Sequence, residues 1–133
     1  MKTMTKTTRR PASSPASLLL STVGTNKGLD IKAFCQAYAV PQQTFTRLTG
    51  FSPRAVSGWA NGEPRTPSTE RRLAETQRLF TALAKLVKAA AIGPWLETAN
   101  PAFGGSTPVQ VIERGETDRL WRMIYELESG QPG

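Results

Sequence analysis

The stretch that decides the fold is residues 41–62, PQQTFTRLTGFSPRAVSGWANG. Gly50 lies near its centre, and glycine ends a helix readily because it adopts left-handed backbone angles without steric strain. Ser52 followed by Pro53 is typical of a helix start, since a serine hydroxyl caps free amides and proline needs no N–H in the first turn. Gly62 is placed to end the second helix. The stretch therefore predicts two short helices joined by a tight turn.

Apolar residues fall where these two predicted helices would face each other. They are Phe45, Leu48, Phe51, Val56 and Trp59. An apolar inner side with a polar outer side is typical of a helix-turn-helix whose second helix reads the major groove of DNA. The alternative that the residues leave open is a helical hairpin that only packs.

The flanking segments also predict helices. Asp30 can cap a first helix that runs to about residue 39, with one apolar face. Thr66 and Pro67 open a long helix that we expect to reach about residue 91. Its wide apolar stripe favours packing against a core, against a second copy of the chain, or against both. The stripe comprises Leu73, Leu79, Phe80, Leu83, Leu86, Val87 and Ala90.

The last third of the chain predicts three short helices. Thr107 and Gln110 have the three-residue spacing of a capping box. Gly115 would end that helix, and Thr117 or Asp118 would cap the last one. Four apolar residues of the last helix should face inward: Leu120, Trp121, Ile124 and Leu127. No strand-like alternation occurs, so the predicted class is all-α.

Composition limits what the chain can do. With 133 residues it can bury one core or two small ones. It has no histidine and one cysteine, Cys35, which lies in an apolar pattern and is expected to be inert. The carboxylates Glu113, Glu116 and Asp118 lie at predicted helix ends, where capping and solvation explain them. We therefore expect no metal, no cofactor and no enzymatic activity.

The apolar runs at residues 18–20 and 89–92 are too short to span a bilayer, and the start of the chain has no secretory apolar region. The sequence thus predicts a cytosolic protein with no membrane contact.

The net charge of +7 is unevenly distributed. Residues 1–91 contain 14 basic and 4 acidic side chains, whereas residues 92–133 contain 3 and 6. A basic part suits a nucleic acid, and an acidic part suits contact with another protein. Residues 1–28 are predicted to be a disordered arm, which serves either DNA phosphates or solubility. Its basic residues are Lys2, Lys6, Arg9, Arg10 and Lys27.

The first motif resembles the Xre (Cro/repressor-like) helix-turn-helix family. The likeness rests on Gln42, Phe45, Thr46, Gly50, Ser52, Val56, Trp59, Asn61 and Gly62. It implies that the groove is faced by Ser52, Pro53, Arg54, Ser57 and Gly58. Arg54 lies near the start of the second helix, where its side chain can bond both acceptors of one guanine. The sugar–phosphate backbone would be contacted by Gln42, Gln43, Thr44, Thr46 and Arg47.

Two residues depart from the family pattern. Thr46 stands where alanine is common. Gly58 stands inside the second helix where a long polar residue is usual, and it offers no side chain to a base.

The last third resembles the toxin-binding domain of Xre/MbcA/ParS-type antitoxins from RES–Xre type II toxin–antitoxin systems. The matching residues are Trp95, Leu96, Asn100, Pro101, Gly115, Gly130 and the run GGSTP at residues 104–108. The resemblance implies an antitoxin that neutralises a RES-type, NAD-consuming toxin and, as a dimer, binds its own promoter. The implied toxin contacts are Arg119, Arg122, Met123, Glu126, Glu128, Ser129 and Gly130.

The sequence thus predicts three parts. These are a basic arm at residues 1–28, an Xre-like domain with a long linking helix at residues 29–91, and a small helical toxin-binding domain at residues 92–133. The alternative function is a stand-alone Xre-type transcriptional repressor that uses its C-terminal domain only for dimerisation.

Overall fold

A computed structural model describes residues 28–130. The predicted basic arm, apart from Gly28, lies outside the described residues. Within them the chain forms seven α-helices, one 3₁₀ turn and no strand, so the all-α prediction is confirmed. The helices are α1 (Ile31–Tyr38), α2 (Gln42–Thr49), α3 (Pro53–Ala60), α4 (Pro67–Leu83), α5 (Ala89–Leu96), α6 (Pro108–Glu113) and α7 (Thr117–Glu128), with the 3₁₀ turn at Pro101–Phe103.

The turn between α2 and α3 has the predicted local chemistry. Gly50 has φ 78°, and its N–H donates to the carbonyl of Thr46 at 2.8 Å. The Ser52 hydroxyl accepts from the N–H of Ala55 at 3.0 Å. Because both free helix ends are satisfied by neighbouring residues, the sequence alone was sufficient to locate this turn.

Aromatic rings hold α1, α2 and α4 together. The ring of Phe34 lies 5.5 Å from that of Phe45 and 4.7 Å from that of Phe80, measured between centroids. Tyr38 lies 5.0 Å from Phe80. These tilted and edge-on contacts add specific attraction to the burial of large apolar surfaces.

The core extends through both of the segments that the sequence distinguishes. Val56 and Leu73 from residues 29–91 are fully buried in the same cluster as Ile92, Val109 and Leu120 from residues 92–133. Helix α5 packs on α1, α6 packs on α2, and α7 packs on α4. Residues 29–91 and residues 92–130 are therefore held in fixed positions relative to each other by shared packing.

The long helix predicted to reach about residue 91 ends earlier. Helix α4 stops at Leu83, and α5 begins at Ala89 after Lys88 adopts extended angles. The break turns α5 back so that Ile92 and Leu96 are buried. The apolar stripe continues in register through the break, so its periodicity gave no sign of the turn. The prediction failed because tertiary packing overrides local helix propensity.

The last helix also differs from its prediction at both ends. Its N-cap is Glu116, with no side-chain capping bond, rather than Thr117 or Asp118. Leu120 and Ile124 are buried as expected, but Leu127 is 52% exposed. Leu127 belongs to the last turn of α7, and no described part of the chain covers it.

Helix α5 crosses the end of α1 at Gly93. A Cβ atom built on Gly93 would lie 2.0 Å from the carbonyl oxygen of Ala39 and 2.7 Å from that of Tyr38. Both atoms belong to the backbone and have little freedom to move. Ala39 itself has φ 55°, a left-handed conformation that is unfavourable for alanine. The crossing therefore requires glycine at position 93.

We expect Gly93→Ala to lower the free energy of unfolding by about 3 kcal/mol, because α5 must move away from α1 and disturb the core. The control is Gly58→Ala, where the new Cβ meets only the end of the Glu63 side chain. That variant should lie within about 1 kcal/mol of the wild type or gain stability from its better helix propensity. Denaturant unfolding followed by circular dichroism measures both, and equal stability of the two variants would contradict the crossing.

Candidate nucleic-acid and partner interfaces

Helix α3 is anchored on its inner side. Val56 is fully buried. The rings of Phe51 and Trp59 meet edge-on, 4.8 Å apart. The guanidinium of Arg72 lies 4.6 Å from the centre of the Phe51 ring and donates a hydrogen bond to the carbonyl of Thr49. The α2–α3 turn is thus tied to α4 through Arg72, and α3 itself packs on α1 and α2, so that α3 is a rigid support for its outer side chains.

The outer side of α3 brings the five predicted groove residues together. Ser52, Pro53, Arg54 and Ser57 are exposed, and Gly58 is half-buried. Arg54 has no ion-pair partner among residues 28–130. Positions 54 and 58 are four residues apart and so lie on the same face of the helix. We call these five residues the α3 outer surface.

The predicted backbone-contacting residues of α2 separate into two groups. Gln42 and Gln43 are exposed in the first turn. Thr44 is 4% exposed, and its hydroxyl donates to the Glu97 carboxylate at 2.8 Å. Thr44 therefore ties α2 to the residue that follows α5, while the two glutamines remain open to solvent.

Arg47 is held by a carboxylate from the C-terminal segment. Its Nε and Nη2 atoms each donate to a different oxygen of Glu113 at 2.8 Å. The hydrogen bond from Arg47 lowers the pKa of Glu113 below its usual range. The pair is therefore intact at neutral pH, and its contribution is lost as the pH falls through that lowered pKa. Because the two side chains are 40% and 37% exposed, solvent screening keeps that contribution small.

Glu97 and Glu113 are partners of α2 that the sequence does not reveal. The sequence predicts Glu113 only as a helix-end carboxylate, and no motif marks Glu97. They lie 66 and 53 positions from Arg47 and Thr44, respectively. No periodicity or motif links residues so far apart. The packing of α6 against α2 brings Glu113 to Arg47, and the course of α5 brings Glu97 to Thr44.

Two of the predicted toxin contacts on α7 are arginines, and their surroundings differ. Arg119 is half-buried, donates to Glu116 at 2.9 Å, and lies 5.6 Å from the centre of the Phe103 ring. The hydrogen bond from Arg119 lowers the pKa of Glu116. Arg122 is exposed and lies 3.8 Å from Asp118. Arg119 is thus held in place within the fold, whereas Arg122 is free to reorient.

The end of α7 combines exposed polar and apolar side chains. Met123 is half-buried against the core. The remaining predicted contacts, Glu126, Glu128, Ser129 and Gly130, are all exposed. Among them lie Tyr125, 66% exposed, and Leu127. We call Tyr125 and Leu127 the α7 apolar tip.

The α7 apolar tip was missed by sequence reasoning. Leu127 continues the spacing of the buried stripe, so its pattern predicted burial. Tyr125 carried no signal of its own. The two residues are two positions apart and so point to different sides of α7, and each exposes a large apolar side chain near the end of the helix, as residues that contact another molecule do.

Three further features of residues 28–130 concern nucleophilic chemistry, metal binding and membrane insertion. Burial raises the pKa of the half-buried Cys35 thiol to about 11, so it is protonated and a poor nucleophile at neutral pH. Between Gly28 and Gly130 no group of three or more His, Cys, Asp or Glu side chains is placed to hold a metal ion. None of the helices in this range has the length and apolar character needed to cross a bilayer.

The all-α fold of residues 28–130 is similar to that of one chain in a solved toxin–antitoxin complex. The similar chain belongs to the crystal structure of the M. tuberculosis MbcT–MbcA toxin–antitoxin complex, with a TM-score of 0.62 and 20% sequence identity. The match covers 78% of this chain and 95% of that chain. No protein-family model matches the sequence, and no curated protein matches it.

Proposed function

We propose that this protein is an antitoxin of the bacterial cytoplasm that binds and neutralises a RES-type, NAD-consuming toxin and represses its own operon by binding promoter DNA. The observation that carries the proposal is the shared fold, which extends over 95% of a chain from a toxin–antitoxin complex. The ordered motifs at residues 95–108 and 41–62 support the two halves of the function.

The α3 outer surface is the proposed base-reading surface. It is exposed, rigidly anchored, and carries an arginine that makes no ion pair with the described chain. An arginine near the start of a recognition helix can donate two hydrogen bonds to guanine. Gln42 and Gln43 would contact phosphates beside it. Arg47 would reach a phosphate only by leaving Glu113, and Thr44 would support the surface through Glu97.

The charge distribution supports a second attraction to DNA, which does not depend on the base sequence. Residues 28–130 contain 12 basic and 10 acidic side chains, whereas residues 1–27 contain 5 basic and no acidic ones. Most of the net positive charge therefore lies in the arm. We propose that it strengthens binding to any DNA, so that affinity falls steeply with salt. A homodimer would present two α3 helices to successive major grooves, as two-fold operators require.

Arg54→Ala should weaken binding to the operator by about tenfold or more and binding to random DNA by much less, because one bidentate guanine contact is worth about 1–3 kcal/mol. Fluorescence anisotropy with both duplexes at one fixed salt concentration measures the ratio. Arg122→Ala, which removes an exposed arginine from α7, is the control and should leave the ratio unchanged. Equal losses on both duplexes would contradict base reading by Arg54.

The end of α7 is the proposed toxin-binding surface. Exposed aromatic and aliphatic side chains surrounded by charged ones resemble the centre and rim of a protein interface. Tyr125 and Leu127 would supply the apolar contacts. The surrounding contacts would come from Arg119, Arg122, Met123, Glu126, Glu128, Ser129 and Gly130.

Replacing both residues of the α7 apolar tip with serine in the full-length chain should reduce affinity for the toxin by about tenfold or more, since buried anchors dominate interface energies. The fold should be retained because both side chains are exposed. The control is Val87→Ser, which changes another exposed apolar residue between α4 and α5. Rescue of growth during toxin co-expression, together with a pull-down, measures the effect.

Full rescue by the double-serine variant would contradict toxin binding at this surface. Loss of dimerisation with no toxin-dependent effect would instead favour the alternative of a stand-alone repressor that dimerises through its C-terminal segment.

A further inference from the structure

The segment after α3 folds back over the helix and places a carboxylate on it. Gly62, with φ 101°, allows the reversal, and the N–H of Glu63 donates to the carbonyl of Gly58 at 3.0 Å. A Cβ atom on Gly58 would stand 2.3 Å from Oε1 of Glu63. The Glu63 side chain therefore occupies the space that a side chain at position 58 would otherwise fill.

This placement gives a physical role to a glycine that is unfavourable inside a helix. The family pattern has a long polar side chain at this point of the recognition helix, and here the polar group comes from Glu63 instead. The group is exposed and has no ion-pair partner in the described chain. It is therefore available to a ligand that approaches the outer side of α3.

Arg54 lies one helical turn before Gly58 on the same face. Side-chain positions four residues apart on a helix are separated by about 5–6 Å. The Arg54 side chain and the Glu63 carboxylate thus belong to neighbouring positions on one face of α3, and they form no ion pair with each other. Two neighbouring groups of opposite charge can read two neighbouring bases with opposite hydrogen-bonding patterns.

We infer that Glu63, lying over Gly58, is a second base-reading residue that selects cytosine next to the guanine read by Arg54. This inference rests on the proposed DNA-binding function. In the major groove cytosine offers the N4 amino group as a donor, and a carboxylate accepts from it. Guanine and thymine present acceptor oxygens there, which repel a carboxylate, and adenine places the N7 acceptor beside its donor. Glu63 thus discriminates by repulsion as well as by attraction.

The spacing of positions 54 and 58 along α3 also limits how far this cytosine lies from the guanine. Base pairs are about 3.4 Å apart along the duplex. The spacing of about 5–6 Å between the Cβ positions of residues 54 and 58 therefore corresponds to about one or two base pairs. The two preferences are therefore expected at adjacent or next-adjacent positions of each half-site.

Selection from a library of randomised operators, with the full-length chain, tests the inference. The wild type should prefer cytosine by about tenfold at one position within about two base pairs of the preferred guanine. In Glu63→Gln the preference at that position should change to adenine, because glutamine bonds N6 and N7 of adenine. The guanine preference should remain in this variant.

The variant Gly58→Ala tests the inference independently, because its methyl group displaces the Glu63 carboxylate without removing it. This variant should lose the cytosine preference and retain the guanine preference. Glu75→Gln removes an exposed carboxylate of the same length from α4, outside both proposed surfaces, and its base profile should match the wild type.

The outcomes separate the inference from the function on which it rests. If the wild type and Glu63→Gln select the same base at every position, Glu63 does not read DNA, while the DNA-binding proposal stands. If the wild type shows no base preference at all, the DNA-binding proposal itself fails and the inference fails with it.

Discussion

The contact on which the rest of the structure depends is the crossing of α5 over the end of α1. At Gly93 the two backbones approach so closely that even a methyl group would meet the carbonyl oxygen of Ala39. This approach sets the direction of α5, buries Ile92 and Leu96, and brings the following residue, Glu97, to Thr44 of α2. One missing side chain thus determines how the C-terminal helices are placed against the N-terminal ones.

The consequence for function is that two surfaces share one support. Helix α2 lies beside the proposed DNA-reading helix and is also tied to the C-terminal segment through the hydrogen bonds of Thr44 and Arg47. Two acidic residues of the C-terminal segment, Glu97 and Glu113, therefore accept hydrogen bonds from α2 of the same chain. Part of the charge asymmetry of the sequence therefore reflects pairing within the chain.

Much of the fold could be predicted from the sequence wherever the cause is local. The turn at Gly50 and the capping box of Thr107 and Gln110 follow from neighbouring residues, and the structure contains both. Features with distant causes could not be predicted. The apolar repeat continues unbroken past Leu83, although the helix does not, and Leu127 keeps the spacing of a buried residue while lying exposed.

The same distinction applies to the candidate sites. The exposure of Arg54 follows from its place in a short amphipathic helix and was predictable. The pairing of Arg47 with Glu113 and the position of Glu63 over Gly58 depend on how the chain folds back, which no local pattern encodes. A glycine that departs from a family pattern was nevertheless a usable signal, since it marked the place where another side chain lies.

The most direct test of the central claim is a pull-down of the full-length chain from its native host, with bound proteins identified by mass spectrometry and bound DNA sequenced. The account predicts that a RES-type protein and the region upstream of the chain's own gene are recovered together. Recovery of neither would contradict it, and recovery of the upstream DNA without any such protein would leave a repressor that is not an antitoxin.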